Sequence, residues 1–273
     1  MNFYNQLELI IRAKTPKEKF AMFETFYINY KNGFCDMQAE TSPVEFNEPS
    51  YKDICAVVPP QTVPKRNNLT TKEGQIYLIH AIAHIEYSAV DLALDAAYRF
   101  RDMPKAYYDD WLEVADDEVR HFLMLEVLLG ELDAKYGDVA VHNALFETSQ
   151  KSQTLLERMA VVPRYLEANG LDATPMILEK IARLSPSPML EKITQNLEII
   201  LEEEVSHVKK GDDWFLWACE KEGKDKDVYF EIIEEYYPRG FLKPKKINVE
   251  ARKAAGFSCK ELNFMAKQQV CDG

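Results

Sequence analysis

No stretch of this sequence approaches the roughly 18 consecutive apolar residues that a membrane-spanning helix requires. The opening residues, MNFYNQLELIIRAKTPKEKF, lack the basic start, apolar core and small-residue cleavage site of a secretory leader, so a soluble, cytoplasmic protein with no membrane partner is expected. Positive charge is also scarce. Lys and Arg total 33 against 45 Asp and Glu, and the net charge of -12 opposes long-range attraction to nucleic acid or to an anionic membrane. The best basic cluster, Lys243, Lys245, Lys246, Arg252 and Lys253, reads as solvated surface near the C-terminus. Nucleic acid is therefore not an expected partner. The 10 glycines form no phosphate-cradling loop, and there is no short repeat or low-complexity tract. Cys35, Cys55, Cys219, Cys259 and Cys271 contain no C-x-x-C pair and cannot all pair within one chain, so free thiols in a reducing compartment are expected.

Histidine is scarce too, and its placement is informative. Of 5 histidines, two fall in Glu-x-x-His motifs, Glu118-Val-Arg-His121 and Glu204-Val-Ser-His207. Residues three apart share a helix face, so each motif directs one carboxylate and one imidazole to the same point. An earlier glutamate precedes each motif. Glu86 lies 32 residues before Glu118, and Glu167 lies 37 before Glu204, intervals that suit a long helix, a turn and half of the next helix. Four carboxylates and two imidazoles in this pattern are the donor set of a dinuclear centre in a four-helix bundle. On the third helix Glu157 competes with Glu167. The two are about three helical turns apart and share a face, but Glu157 stands 47 residues before Glu204, which favours Glu167.

The chain of 273 residues, 47% apolar, is long enough for a large core and shows no linker that forces a division. A single domain is expected, with a bundle core over about 70–222, an N-terminal extension over 1–69 and a C-terminal extension over 223–273. Residues 1 to about 32 read as one or two amphipathic helices outside the bundle, with Thr15, Pro16 and Glu18 as a helix start. Five prolines between Pro43 and Pro64 prevent a long helix and predict an extended wrap. The first long helix is predicted from Thr70, at the start of a capping-box pattern, to Phe100, with an inner stripe of Ile79, Ile82, Ala83, Glu86, Ala89, Val90 and Ala93. A carboxylate in such a stripe calls for a metal, a cation or a proton.

The second helix is expected from Asp102 and Pro104 to about Lys135, with Glu118 inside the stripe Trp111, Ala115, Phe122, Leu125 and Leu129. A third helix is expected near Glu147–Asn169, stopping at Gly170, followed by a shorter one over Pro175–Leu184. The fourth runs from Met189 to about Lys221, and further helices are expected around Val228–Tyr236 and Ser258–Lys267. Trp111, Trp214 and Trp217 read as core. His80 and His84 read as core or as supports for a ligand, His142 as a loop or surface residue, and Asp91, Glu202 and Glu203 as solvent-facing or supporting acids.

With these motifs the chain resembles the ferritin-like superfamily and, more closely, the bacterial family labelled domain of unknown function 455. The resemblance runs through Val63-Pro64-Lys65-Arg66, His80-Ala-Ile-Ala-His84-Ile-Glu86 and Arg101-Asp102-Met103-Pro104 to Glu118-Val-Arg-His121-Phe122. It continues through Val162-Pro163-Arg164-Tyr165-Leu166-Glu167, Asp172-Ala-Thr-Pro175 and Glu204-Val-Ser-His207-Val208 to Asn248-Val-Glu-Ala-Arg252-Lys-Ala-Ala-Gly256-Phe257. It implies an all-α, ferritin-like four-helix bundle with Glu86, Glu118, His121, Glu167, Glu204 and His207 as ligands. Two iron ions are the expected cofactor, and manganese or a mixed iron–manganese pair satisfies the same donors. The expected function is that of a di-iron oxidoreductase that activates dioxygen to oxidise or hydroxylate a substrate the sequence does not identify, with an electron donor it does not identify either. The runner-up is a ferroxidase or metal-handling protein, and a third class is a structural or partner-binding bundle. A tRNA-modifying di-iron hydroxylase in the same superfamily suggests RNA as a substrate by analogy alone.

Overall fold

The computed structural model describes residues 1–39 and 41–272, and the chain is all-α. Among the described residues, extended backbone pairs only in two isolated bridges, Asn2 with Asp36 and Val57 with Val141. No described helix is long and apolar enough to cross a membrane. The chain divides into two compact units, Met1–Phe146 and Glu147–Gly273.

The first unit is built on the hairpin of α3 (Lys72–Arg99) and α4 (Lys105–Glu131). α3 is capped at Thr71, one residue after Thr70, and its first helical residue is Lys72. Thr71 caps it by accepting from the Gly74 amide, while Glu73 accepts from the Tyr77 hydroxyl instead of reaching back to the cap. Asp102 adopts a left-handed φ of 57° in the turn, and Pro104 precedes α4, where its missing N–H costs no helical bond. The expected inner stripes of both helices are buried. α1 (Phe3–Ile11) packs on α3, and α2 (Pro16–Lys31) packs on α1 and α4. The proline-rich segment is an ordered wrap. The Val58 amide donates to the Val141 carbonyl at 2.8 Å, and the Tyr51 hydroxyl donates to Asn143. Gly137, at φ 106°, is required there because a Cβ would stand 2.7 Å from the Ile54 carbonyl oxygen.

The stretch that carries the predicted ligand Glu167 departs from its expected boundaries. In place of one helix over Glu147–Asn169, the structure has α5 (Ala144–Lys151), α6 (Leu155–Val161), a π-helical turn (Val162–Glu167) and α7 (Ala168–Ile181). The break falls at Ser152–Thr154, where Thr154 and Glu157 form a reciprocal capping box. Gly170 and Pro175, expected at helix boundaries, lie inside α7. A proline there removes one helical bond, at about 3 kcal/mol in a helix interior. Contacts from outside the helix offset it: buried Arg252 donates to the Ala168 carbonyl and to both oxygens of Asp172 in the preceding turns.

α8 (Pro188–Glu222) runs as expected, capped by the Ser187 hydroxyl and ended by left-handed Gly223. α6, the π turn and α7 all pack on it. α9 (Val228–Tyr236), α10 (Val249–Ala254) and α11 (Cys259–Ala266) form a C-terminal arm, of which α10 was not foreseen.

Two expectations fail in this arm. Cys259 and Cys271 are joined in a disulfide, leaving Cys35, Cys55 and Cys219 as free thiols. The pairing follows from a chain reversal invisible to residue spacing: the Asn263 amide side chain accepts from the Val270 and Cys271 amides and folds the tail back along α11. The basic cluster is solvated only in part: Lys243, Lys246 and Lys253 are exposed as expected, and the other two are not. Arg252 is buried on Asp172, Lys246 pairs with Glu179, and Lys245 is half-buried against the Tyr165 ring, its ammonium pushed down to about 8 by burial and by Arg252.

In the first unit Lys19 is fully buried and ties three segments together. Its ammonium pairs with Asp91 on α3 and donates to Ser50 in the wrap and to the Ile11 carbonyl at the end of α1. Asp91, expected to face solvent or support a ligand, is occupied by this pair. Burial pulls the Lys19 ammonium down, while Asp91 pulls it up. Breaking a buried pair from one side strands the other charge, so Lys19→Met should destabilise the protein by about 3 kcal/mol and Lys19→Met/Asp91→Leu should recover most of that loss. Urea denaturation of the three proteins measures both effects, and a single variant within about 0.5 kcal/mol of wild type would show that the pair anchors nothing.

Candidate metal centre

The first hairpin brings its three predicted ligands into one buried group. Glu86, Glu118 and His121 are 5%, 2% and 0% exposed, and each offers a ligand atom within 4.8 Å of the others. His121 Nδ1 lies 3.1 Å from Glu86 Oε2 and 3.6 Å from Glu118 Oε2. Glu86 comes from α3, while Glu118 and His121 come from one face of α4, so the group depends on the packing of the two helices. Burial, and then the charge of Glu118, push the Glu86 carboxyl well up. Burial works against charge on His121, but hydrogen bonds to Glu118 and Glu86 outweigh it and push the imidazole up to about 11. Two carboxylates this close in a dry interior hold protons in the absence of a cation, and those are the protons a divalent metal displaces. Buried oxygen and nitrogen donors converging without a thiolate fit iron or manganese.

The second unit repeats the pattern. His207 is fully buried, and its Nδ1 lies 3.2 Å from Glu204 Oε2, the same imidazole nitrogen turned toward the glutamate three residues earlier. Glu167 is half-buried at the end of the π turn. The π turn packs on α8, where Pro163 abuts Gly211: a Cβ there would stand 2.3 Å from the proline Cβ. On the first hairpin Glu86 and His121 meet directly. The repeat is not complete, because Glu167 does not join Glu204 and His207 in a group of ligand atoms all within 4.8 Å.

The competing acid is occupied elsewhere. Glu157 Oε2 accepts from the Thr154 amide at 2.9 Å and from the Gln153 amide at 3.1 Å, which commits it to the N-terminus of α6. His80 and His84 belong to the core. The His142 carbonyl can only accept, so His84 donates to it from Nε2 at 3.0 Å and accepts at Nδ1 from the Tyr136 hydroxyl at 2.9 Å. His80 Nε2 accepts from the Gly137 amide at 2.9 Å. Burial pulls both imidazoles down to about 4, so they are neutral. They hold the loop that follows α4 against α3. His142 lies on that loop, as expected.

The buried pairing of two arginines was not read from the sequence. Arg164 and Arg252, each about 1% exposed, pair with Asp212 and Glu261 and with Asp172 respectively. Pro163, in mid-helix, was the one local hint that outside contacts had to hold this turn.

The model of the family described as protein of unknown function (DUF455) matches residues 12–263. A Haemophilus influenzae protein described as uncharacterized is 36% identical over 275 residues, covering 96% of this chain and 93% of that protein. No solved structure matches the chain.

Replacing ligands one at a time tests the assignment. Glu86→Ala and Glu118→Ala should each lose at least one bound metal ion in equilibrium dialysis against manganese(II) while retaining the helical circular dichroism of wild type. Glu167→Ala should lose metal as well, whereas Glu157→Ala should load normally and lose about 1 kcal/mol of stability through its cap. Normal loading by Glu167→Ala together with metal loss by Glu157→Ala would assign the ligand to the other acid.

Proposed function

The chain belongs to the family described as protein of unknown function (DUF455), and from the chemistry of its own residues we propose that it is a ferritin-like, di-iron carboxylate protein that activates dioxygen to oxidise an unidentified substrate. The buried Glu86–Glu118–His121 group is the observation that carries this reading. The second Glu-x-x-His motif, with its imidazole turned the same way, and Glu167 on a turn that packs on the same helix support it. Together the two hairpins offer four carboxylates and two imidazoles, the donor set of a dinuclear centre in a four-helix bundle.

In this reading His121 and His207 each hold one ion, and the four glutamates hold the pair and balance its charge. The bound ions would supply electrons to dioxygen and the coordination positions at which it reacts. The protein's own contribution is to keep the donors dry and aligned. α3 and α4 bury Glu86 and Glu118, so a cation there gains nearly the full attraction of both carboxylates. Neutral His80 and His84 hold the neighbouring loop without adding a competing positive charge. Partial dispersal of the basic cluster into ion pairs and buried contacts favours a small-molecule substrate over RNA.

Anaerobic loading with iron(II), followed by oxygen, tests the proposal. About two irons per chain should bind, in keeping with the donor set, and oxygen uptake should follow with a rise in near-ultraviolet absorbance. Fewer than one iron per chain under native conditions would remove the reading. Uptake far beyond two, with growth of an iron mineral, would move the protein to the ferroxidase class.

A further inference from the structure

The π turn that bears Glu167 is gripped from outside along its backbone. Arg164, Ala168 and Asp172 recur every four residues and face the C-terminal arm. The Arg164 carbonyl accepts from the Tyr229 hydroxyl at 3.2 Å, and the Ala168 carbonyl accepts from Arg252 at 2.9 Å. The Arg164 guanidinium donates to Asp212 at 2.6 Å and to Glu261 at 2.7 Å, and it lies over the rings of Phe215, Tyr229 and Phe257. Asp172 holds Arg252 in turn. Pro163 and Glu167, also four apart, occupy the next face, and Pro163 rests on Gly211 of α8.

An arrangement of this kind is costly if its purpose is stability alone. A buried arginine with two acids gains little over well-packed apolar side chains, whereas it does specify one geometry. A π turn likewise inserts a residue into the helix and rotates the residues beyond it, so its position must be enforced from outside. Two glycines let the enforcing surfaces close. A Cβ on Gly211 would overlap Pro163, and one on Gly256, at φ 100°, would stand 2.1 Å from Asp212 Oδ2. Glu261 is itself held by the Ser258 amide and hydroxyl at 2.8 and 2.7 Å.

We propose that the C-terminal arm is a positioning device for the second ligand set: Tyr229, Arg252 and Glu261 hold the π turn, and with it Glu167, against α8, the helix that carries Glu204 and His207. These are positioning residues that touch no metal. The inference rests on the two-metal reading above and adds that the second ligand set is completed by residues 229–261.

The test is an anaerobic cobalt(II) titration of the full chain, followed by ligand-field absorption, with thermal unfolding of each variant recorded beside it. Wild type should bind two cobalt ions. Glu261→Gln, which keeps the shape and removes one charge from Arg164, should stay folded and bind the first ion as wild type does. It should bind the second at least tenfold more weakly with altered band intensities, and Glu261→Asp should restore the second ion in part. Tyr229→Phe, which removes one hydroxyl and no charge, should shift the second ion in the same direction, and it decides the matter if Glu261→Gln does not fold. Folded variants with two ions at wild-type affinity and an unchanged spectrum would overturn the positioning role, as would equal weakening of both ions. Fewer than two cobalt ions in wild type would instead remove the two-metal reading itself.

Discussion

Mutual repulsion between buried carboxylates is the constraint around which the first unit is arranged. Glu86 and Glu118 sit where apolar side chains would normally pack, and His121 lies at hydrogen-bond distance from Glu86 and 3.6 Å from Glu118. Two such charges with no cation or proton between them would cost several kcal/mol in a dry interior. The surrounding structure keeps that interior dry. α3 is long enough to bury Glu86 deep in its length, and the proline-rich wrap and the loop after α4 pack against it through His80, His84 and Tyr136. Lys19 and Asp91 fasten the wrap and α1 to α3 through a separate, self-neutralising pair. Charge that is paired in this way stabilises structure. Charge of one sign, gathered around one imidazole, is disposed to take up a cation.

The second unit solves a similar problem by different local means. Its ligand helix is not continuous, because a cap at Thr154, a π turn and an interior proline interrupt it, and contacts from α8 and the C-terminal arm restore what the local sequence gives up.

Much of this was legible in the residues. The helical stripes of α3, α4 and α8 emerged from a 3.6-residue period strong enough to survive the interruption of each by a carboxylate, and the cap at Thr15 follows from local hydrogen bonding that short sequence patterns encode. Glu86, Glu118 and His121 were recognisable as one group because their spacing and their apolar neighbours already fix which way they face. The choice of Glu167 over Glu157 could be argued from intervals. It gained a physical reason only when Glu157 proved to be bound to the backbone of Gln153 and Thr154.

Contacts between residues far apart in the chain decided the features that local pattern could not reach. Gly170 and Pro175 read as helix ends because their intrinsic preferences say so, and both lie inside α7, whose first turns Arg252, some eighty residues later, binds through Ala168 and Asp172. Cys259 and Cys271 read as free thiols because no spacing rule joins them, and they pair because Asn263 folds the tail back. Arg252 read as a surface charge until Asp172 gave it a buried partner. By itself, then, the sequence determined helix content, the buried faces and the candidate ligands, which depend on neighbours within a turn or two. Tertiary structure decided which helix breaks were overridden and which charges were neutralised, because those energies arise only when distant segments meet.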